Sequence, residues 1–264
     1  MKNLILILLS LLFFSCTDNQ ETGDTTHKNT SKNKSPINDL KRDGVKGNIK
    51  TIFEATYHLE NNYKTGEMIY YNKYGNIARG VSYNDAGDST AAYTNIYDND
   101  NYKISETGYN SLHKFTTSFK HDIKGNILEE ETKDYGGIES DCKNIFRYDS
   151  NNNETENISV KVDSSDTYFF SQKLVYKYND TQNKTEEYYY QRDKLSAKDT
   201  YIYDSRGNCI EEKEFCPPDS LKSVITYKYT SFDKFGNWTT KFLYPSNSYA
   251  AEDSMKIERS IQYY

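Results

Sequence analysis

Apolar and polar positions alternate with a period of two along most of this chain, and aromatic side chains carry the alternation. Phe146 and Tyr148, Tyr176 and Tyr178, and Tyr201 and Tyr203 each put two rings on one side of an extended segment, because successive strand side chains point to opposite faces. No stretch keeps the 3.6-residue period of an amphipathic helix, so the chain is expected to be all-β. The one long apolar run, Leu4 to Phe14 after Lys2, is interrupted only by Ser10. It falls short of the roughly 20 residues a bilayer-spanning helix needs and has the length of a signal-peptide core.

Between the alternating segments a short pattern recurs: an aromatic residue or histidine, Asp or Asn, two variable residues, Gly, then Asn. The complete copies are Asn72 with Gly75 and Asn76, Asp122 with Gly125 and Asn126, Asp204 with Gly207 and Asn208, and Asp233 with Gly236 and Asn237. Looser copies begin at Asp98, Asp149 and Asn179, so seven first positions fall 24 to 30 residues apart. Self-similarity at a steady pitch marks a repeat architecture. The motif is turn chemistry. Its Asp or Asn accepts hydrogen bonds from amides just downstream, and its Gly takes the left-handed conformation that closes a type I turn with a bulge. Each unit then needs a second, looser return, and Asp85-Ala86-Gly87-Asp88, Tyr135-Gly136-Gly137 and Cys216-Pro217-Pro218-Asp219 qualify. Two strands per unit give about fourteen short antiparallel strands. An isolated Gly47-Asn48 reads as the frayed edge of a capping unit.

Two resemblances follow from these residues. Leu12-Phe13-Phe14-Ser15-Cys16 resembles the lipobox of bacterial lipoproteins, although Phe13 stands where that family usually has Leu. The resemblance implies cleavage before Cys16, acylation of that cysteine and anchoring in a lipid bilayer. Thr17 rather than Asp after it implies sorting to the outer membrane. Several acyl chains hold stably, at about 0.8 kcal/mol per buried methylene. The turns, with an acidic residue after them, resemble those of YD-repeat, RHS-type proteins over about residues 66–244. That resemblance implies a winding sheet of hairpins, which in large members is a shell around a cargo domain. This chain is short, and its sequence reaches Tyr264 with no further domain to enclose. An elongated or curled antiparallel meander of about seven β-hairpin repeats is therefore expected, held by neighbour contacts. The expected organisation is a signal peptide over residues 1–15, a lipidated flexible tether over 16–39 and the hairpin array over 40–264.

Composition changes this picture at two points. Residues 17–39 hold no aromatic residue and one aliphatic, Ile37, too little apolar surface to order themselves. As a flexible coil they would span roughly 25–30 Å. The net charge of −6 and mean hydropathy of −0.92 would suit a disordered chain, yet 26 tyrosines, 12 phenylalanines and one tryptophan do not. Tyrosine over aliphatic residues suits a thin sheet with half-wet faces, since the ring packs while the hydroxyl reaches water. The acidity, with no basic stripe in the sequence, argues against nucleic acid as a partner. Besides Cys16 there are Cys142, Cys209 and Cys216, an odd number that leaves one thiol without a disulfide. Cys209 and Cys216 flank one strand and are too far apart to bridge. All three are taken as small buried side chains.

Candidate chemistry is sparse. His58, His113 and His121 show no metal-ligand spacing, and each turn offers two side-chain ligand groups against the 6–8 oxygens calcium takes. No metal and no cofactor is expected. Nor is a nucleophile elbow visible. Glu129-Glu130 and Glu211-Glu212 would suit an acid–base pair on adjacent repeats. The recurrence of such Glu-Glu pairs across repeats fits better with a solvated, charged strand face; Glu129, Glu156, Glu186 and Glu211 each fall three residues after a turn. Most tyrosines are expected to pair across strands. The candidate binding position is Tyr188, Tyr189 and Tyr190, where three consecutive rings must serve both faces. The expected function is a non-enzymatic, envelope-anchored scaffold or binding module for a glycan or a protein. A second reading is an accessory or immunity factor of a secreted RHS-type system, and a third is a hydrolase of surface polysaccharide.

Overall fold

The computed structural model describes residues 38–264 apart from 111–112, 136–140, 163–167 and 248–253. Cys16 and the expected leader and tether, as far as residue 37, lie outside the described residues, as do Gly136 and Gly137. A single helical turn, α1 (Asp39–Arg42), precedes sixteen strands. These are β1 (Ile49–His58), β2 (Tyr63–Tyr71), β3 (Ile77–Tyr83), β4 (Ser89–Tyr97), β5 (Lys103–Tyr109), β6 (Lys114–His121), β7 (Ile127–Tyr135) and β8 (Cys142–Tyr148). They continue as β9 (Glu154–Val162), β10 (Tyr168–Tyr178), β11 (Lys184–Gln191), β12 (Lys194–Tyr203), β13 (Cys209–Cys216), β14 (Ser220–Phe232), β15 (Trp238–Asn247) and β16 (Met255–Tyr263). Each pairs antiparallel with its neighbours in sequence, and β1 also pairs with β16, closing the sheet into a barrel.

Closure corrects the expected open curl, and sixteen strands correct the expected fourteen. An open sheet leaves two rows of amides and carbonyls without strand partners, and joining the edges removes both. Asn38 and Asp39, placed at the end of the expected tether, are ordered against the barrel. Asn38 caps α1, its side chain accepting from the Lys41 amide at 2.9 Å.

The seven turns read from the sequence share one geometry. At Asp204, the first amide donates to the Asn208 carbonyl (2.9 Å) and the Gly207 amide donates back to the Asp204 carbonyl (3.1 Å). Asp204 Oδ1 accepts the amides of Arg206 (2.8 Å) and Asn208 (2.9 Å). The looser copies reach the same left-handed fourth position without glycine, through Asn101 (φ 66°), Asn152 (φ 87°) and Gln182 (φ 63°). Asn84 to Asp88, expected as a loose return, is a turn of the same kind at the opposite end of the barrel.

Residues 38–48 cross the mouth on the repeat-turn side. The Leu40 amide donates to Gly75 (3.0 Å), and Asp39 accepts the Ile77 amide (2.6 Å). Leu40 sinks onto Ile49, Ile52 and Tyr71, the driest part of the described structure, where burying one leucine stabilises by about 1.5–3 kcal/mol. At the seam Ile49 faces Tyr263, and the Tyr264 amide donates to the Asn48 carbonyl at 2.9 Å. That is the first-to-fifth bond of the other turns. Gly47-Asn48 and Tyr263-Tyr264, far apart in the chain, thus build one split copy between them.

Tyrosines lock repeat to repeat along the inner wall. Tyr97, Tyr148, Tyr178, Tyr203 and Tyr229 each donate their hydroxyl to the carbonyl of the residue just after the preceding turn. The acceptors are Ile77, Ile127, Glu154, Lys184 and Cys209, at 2.6–3.0 Å.

Candidate binding faces of the barrel

Strand alternation sorts charge by face. On the outer face Glu129 lies between Lys120 (2.7 Å) and Lys143 (2.9 Å). Glu156 lies between Arg147 (2.8 Å) and Lys173 (3.6 Å), and Glu186 between Lys177 (2.7 Å) and Lys198 (3.0 Å). In each set the first base stands directly opposite the carboxylate on the preceding strand, and the second comes from the following strand. These are three of the four glutamates that fall three residues after a turn, and they lie on a charged face; the fourth, Glu211, pairs with Lys213 at 2.6 Å. Side-chain hydrogen bonds from Lys177 and from Tyr188 hold the Glu186 carboxyl at about 2.

Two rings share this face. Tyr188 donates to Glu186 (2.7 Å) and lies under the ammonium groups of Lys177 (5.0 Å) and Lys198 (5.4 Å). Tyr190 lies under Lys173 at 5.1 Å. Beside them is a hollow of about 180 Å³ lined by Tyr188, Leu195, Lys198, Phe215, Pro217 and Pro218, among others. Tyr189 points inward instead, donating to Gln172 at 2.9 Å. The three candidate tyrosines are thus divided between the faces, as their consecutive positions require.

One residue further along each strand the side chain turns inward. Glu106, Glu130, Asn157, Glu187 and Glu212 face Asn95, Phe119, Phe146, Tyr176 and Tyr201 across their hairpins. The expectation that whole Glu-Glu pairs decorate a solvated face is therefore corrected, because each pair is split by alternation. Asp199 stands opposite Glu187 on one side and Glu214 on the other. Burial, reinforced by Glu187, Glu212 and Glu214, pushes its carboxyl up to about 7. Glu154 is fully buried, and neither of its carboxyl oxygens accepts a hydrogen bond among the described residues. Burial and the nearby Glu130 push it up to about 8. Tyr201 donates to Glu187 (3.1 Å), which also pairs with Lys184, and Tyr227 donates to Glu212 (2.7 Å). Further round the wall Trp238 is held between Arg259 (3.5 Å) and Lys241 (4.5 Å). The inner wall can therefore keep protons on buried carboxyls near neutral pH. Among the described residues no group of three His, Cys, Asp or Glu has the geometry to hold a metal.

The remaining sequence candidates are distributed as follows. The turn residues from Asn72 to Asn237 shape the rim. Cys142, Cys209 and Cys216 carry thiols rather than disulfides and are half-buried, and burial pushes the Cys209 thiol up to about 11. His121 occupies a tyrosine place, with its ring 5.5 Å from Tyr102. The outer lysines were missed, though a signal existed: Lys120, Arg147 and Lys177 each directly precede the ring residue of a turn motif.

No family model matches the chain, and no curated protein matches it. Among solved structures, a porin-like protein from Bacteroides uniformis matches with a TM-score of 0.50 at 12% identity, over 81% of this chain and 96% of that one. In fold, the chain resembles a porin-like barrel. A chain in the crystal structure of TcdB2-TccC3-Cdc42 matches with a TM-score of 0.31 at 13% identity, over 73% of this chain and 12% of that one.

Proposed function

We propose that this is a non-catalytic binding barrel held at the bacterial envelope by an acylated Cys16, presenting its outer sheet to a glycan or a protein. The observation that supports this reading is the character of the outer face. A bilayer-spanning barrel turns outward an apolar band about 25 Å tall, and a Lys or Arg facing lipid at the midplane costs about 2–4 kcal/mol. Here Lys173 and Lys198 lie in the middle of β10 and β12, each beside a glutamate partner. Such a wall belongs in water, so the lipid anchor rather than the strands would keep the protein at the membrane. On that wall Tyr188 and Tyr190 sit beside the hollow, and rings of this kind stack on sugars or anchor protein partners.

The test is fractionation of cells carrying the wild type or Cys16→Ala, with an alkaline carbonate wash of the membranes. The expected result is a membrane-bound wild type and a soluble variant. Were Cys16→Ala to stay in washed membranes, the strands themselves would be inserted and this reading would fall.

A further inference from the structure

The repeat turns stand together on one rim of the barrel, and their tips, the second and third residues of each turn, are not alike. Three tips set an exposed apolar side chain next to a lysine. They are Lys73-Tyr74, Ile123-Lys124 and Lys234-Phe235, with Tyr74 52% exposed, Ile123 88% and Phe235 40%. The Lys73 ammonium lies 4.9 Å from the Tyr74 ring, and that of Lys234 lies 5.0 Å from the Phe235 ring. The other tips, Asn99-Asp100, Ser150-Asn151, Asp180-Thr181 and Ser205-Arg206, hold no large apolar residue. Strand order places the first group on one arc. Lys234-Phe235 (between β14 and β15) and Lys73-Tyr74 (between β2 and β3) flank the β1–β16 seam, and Ile123-Lys124 (between β6 and β7) comes two turns after Tyr74. The described chain begins on the same arc, where the Asn38 side chain donates to the Tyr74 carbonyl at 2.6 Å. Next to it opens a hollow of about 360 Å³ whose lining includes Lys41, Val45, Asn48 and Tyr74.

We propose that this arc rests on the bilayer that holds Cys16, with Tyr74, Ile123 and Phe235 seated among the lipid headgroups. The inference rests on the lipid-anchored reading and adds which end of the barrel meets the membrane. Tips two turns apart are separated by four strands, about 19 Å at about 4.8 Å per strand. Three such points lie too far apart for one small ligand, yet a flat bilayer meets them all at once. Aromatic rings settle at headgroup level, and a lysine beside one lays its apolar stem along the lipid while its ammonium stays in water. Exposure alone does not choose this end, because Leu59 and Leu221 at the opposite rim are 49% and 46% exposed. The chain chooses it. Residues 17–37 join Cys16 to Asn38, and a coil of that length spans roughly 25 Å. An acylated Cys16 therefore holds this rim close to the surface, at a local concentration of about millimolar order, where shallow insertion of three side chains suffices. The outer sheet, with its charged face and the hollow beside Tyr188, is then left facing the aqueous phase.

The experiment uses the acylated protein reconstituted into vesicles of phosphatidylethanolamine and phosphatidylglycerol, prepared with and without brominated acyl chains that quench nearby indoles. The reporter variants are Tyr74→Trp and Phe235→Trp at this rim and Leu59→Trp at the opposite one, and the wild type with its Trp238 gives the baseline. Flotation with the vesicles tests the anchor separately. The expected result is that both rim reporters lose much of their added fluorescence to the brominated lipid, while Leu59→Trp is quenched no more than the wild type. Adding Tyr74→Ser and Phe235→Ser to an Ile123→Trp reporter should remove most of its quenching, with circular dichroism showing the barrel intact. Protein that floats but shows no extra quenching at the rim would overturn the docking and leave the anchor standing, as would quenching of Leu59→Trp equal to that of Tyr74→Trp. Protein that fails to float would overturn both. Quenching of Ile123→Trp that survives the two serine substitutions would take Tyr74 and Phe235 out of the contact and overturn the arc.

Discussion

The side chain of Asn237 makes both hydrogen bonds that a neighbouring strand would offer to Lys46. Its Oδ1 accepts the Lys46 amide and its Nδ2 donates to the Lys46 carbonyl, each at 2.8 Å. The same Nδ2 also reaches Asp233 (3.2 Å) and the Tyr263 hydroxyl (3.0 Å). One amide therefore ties the segment across the mouth to the last repeat turn and to the final strand.

Asn237→Ala should accordingly cost more than the loss of one turn residue. Leaving the Lys46 amide and carbonyl without partners is expected to destabilise by about 2–3 kcal/mol, seen as a lower urea midpoint. Residues 38–48 should be cut faster in limited proteolysis than they are in the wild type. Asn208→Ala, whose side-chain amide is bonded to Asp204 within its own turn, should cost about 1 kcal/mol. Equal losses in the two variants would show that the tie to Lys46 adds nothing.

Gly108 sits where no side chain fits. A Cβ there would lie 2.5 Å from Phe115 Cζ and 2.6 Å from the Ala92 carbonyl oxygen, and the latter is backbone that cannot swing aside. Gly108→Ala should cost about 2–3 kcal/mol by overpacking. Gly87→Ala meets nothing within 4 Å but must hold φ at +85°, a penalty of about 1–2 kcal/mol. Thermal melts of the two variants should rank in that order.

Stability should fall as pH rises across neutrality. Asp199 has its carboxyl raised to about 7, and Glu154 to about 8, both mainly by burial. Their stabilising contribution is fully present below about pH 4, where both states are protonated. It is lost as pH rises through about 7–8, because the unfolded chain ionises first. Asp199→Asn should flatten part of this decline between about pH 4 and 7. Urea titrations at stepped pH would refute the assignment if the variant and wild type declined in parallel.

The seam depends on apolar contact between strands distant in the chain. Ile261 in β16 stands opposite Ile52 in β1 and packs against the dry cluster under α1. Ile261→Asp would place an unpaired charge there, with an expected loss of about 3–5 kcal/mol. Exposing the β1 and β16 edges should also drive association, measured as a shift to larger species in light scattering. A variant that remained monomeric and as stable as the wild type would show the seam to be unimportant.

The turns were legible in the sequence because their chemistry is local. Asp or Asn at the first position and Gly at the fourth satisfy bonds within five residues, so Asp204 to Asn208 needs no distant partner to be recognised. The division of Tyr188, Tyr189 and Tyr190 between faces was equally forced. The inward acids were not legible, because a one-residue step along a strand changes the face and Glu129 and Glu130 look alike on paper. Closure was least legible of all. Gly47-Asn48 resembled a fragment because its other half, Tyr263-Tyr264, lies roughly two hundred residues away, beyond the range of any local pattern.

That split copy has a consequence for how the molecule is wired. Among the described residues every other strand pairing joins segments that are adjacent in sequence, and only β1 with β16 joins distant ones. The wall is therefore a ring with a single clasp, and the clasp repeats the bonding of its other joints. Joining Tyr264 to the segment before Gly47 through a short linker, and opening the backbone between Ser205 and Arg206 instead, would yield a circular permutant with the same wall and its clasp at a different joint.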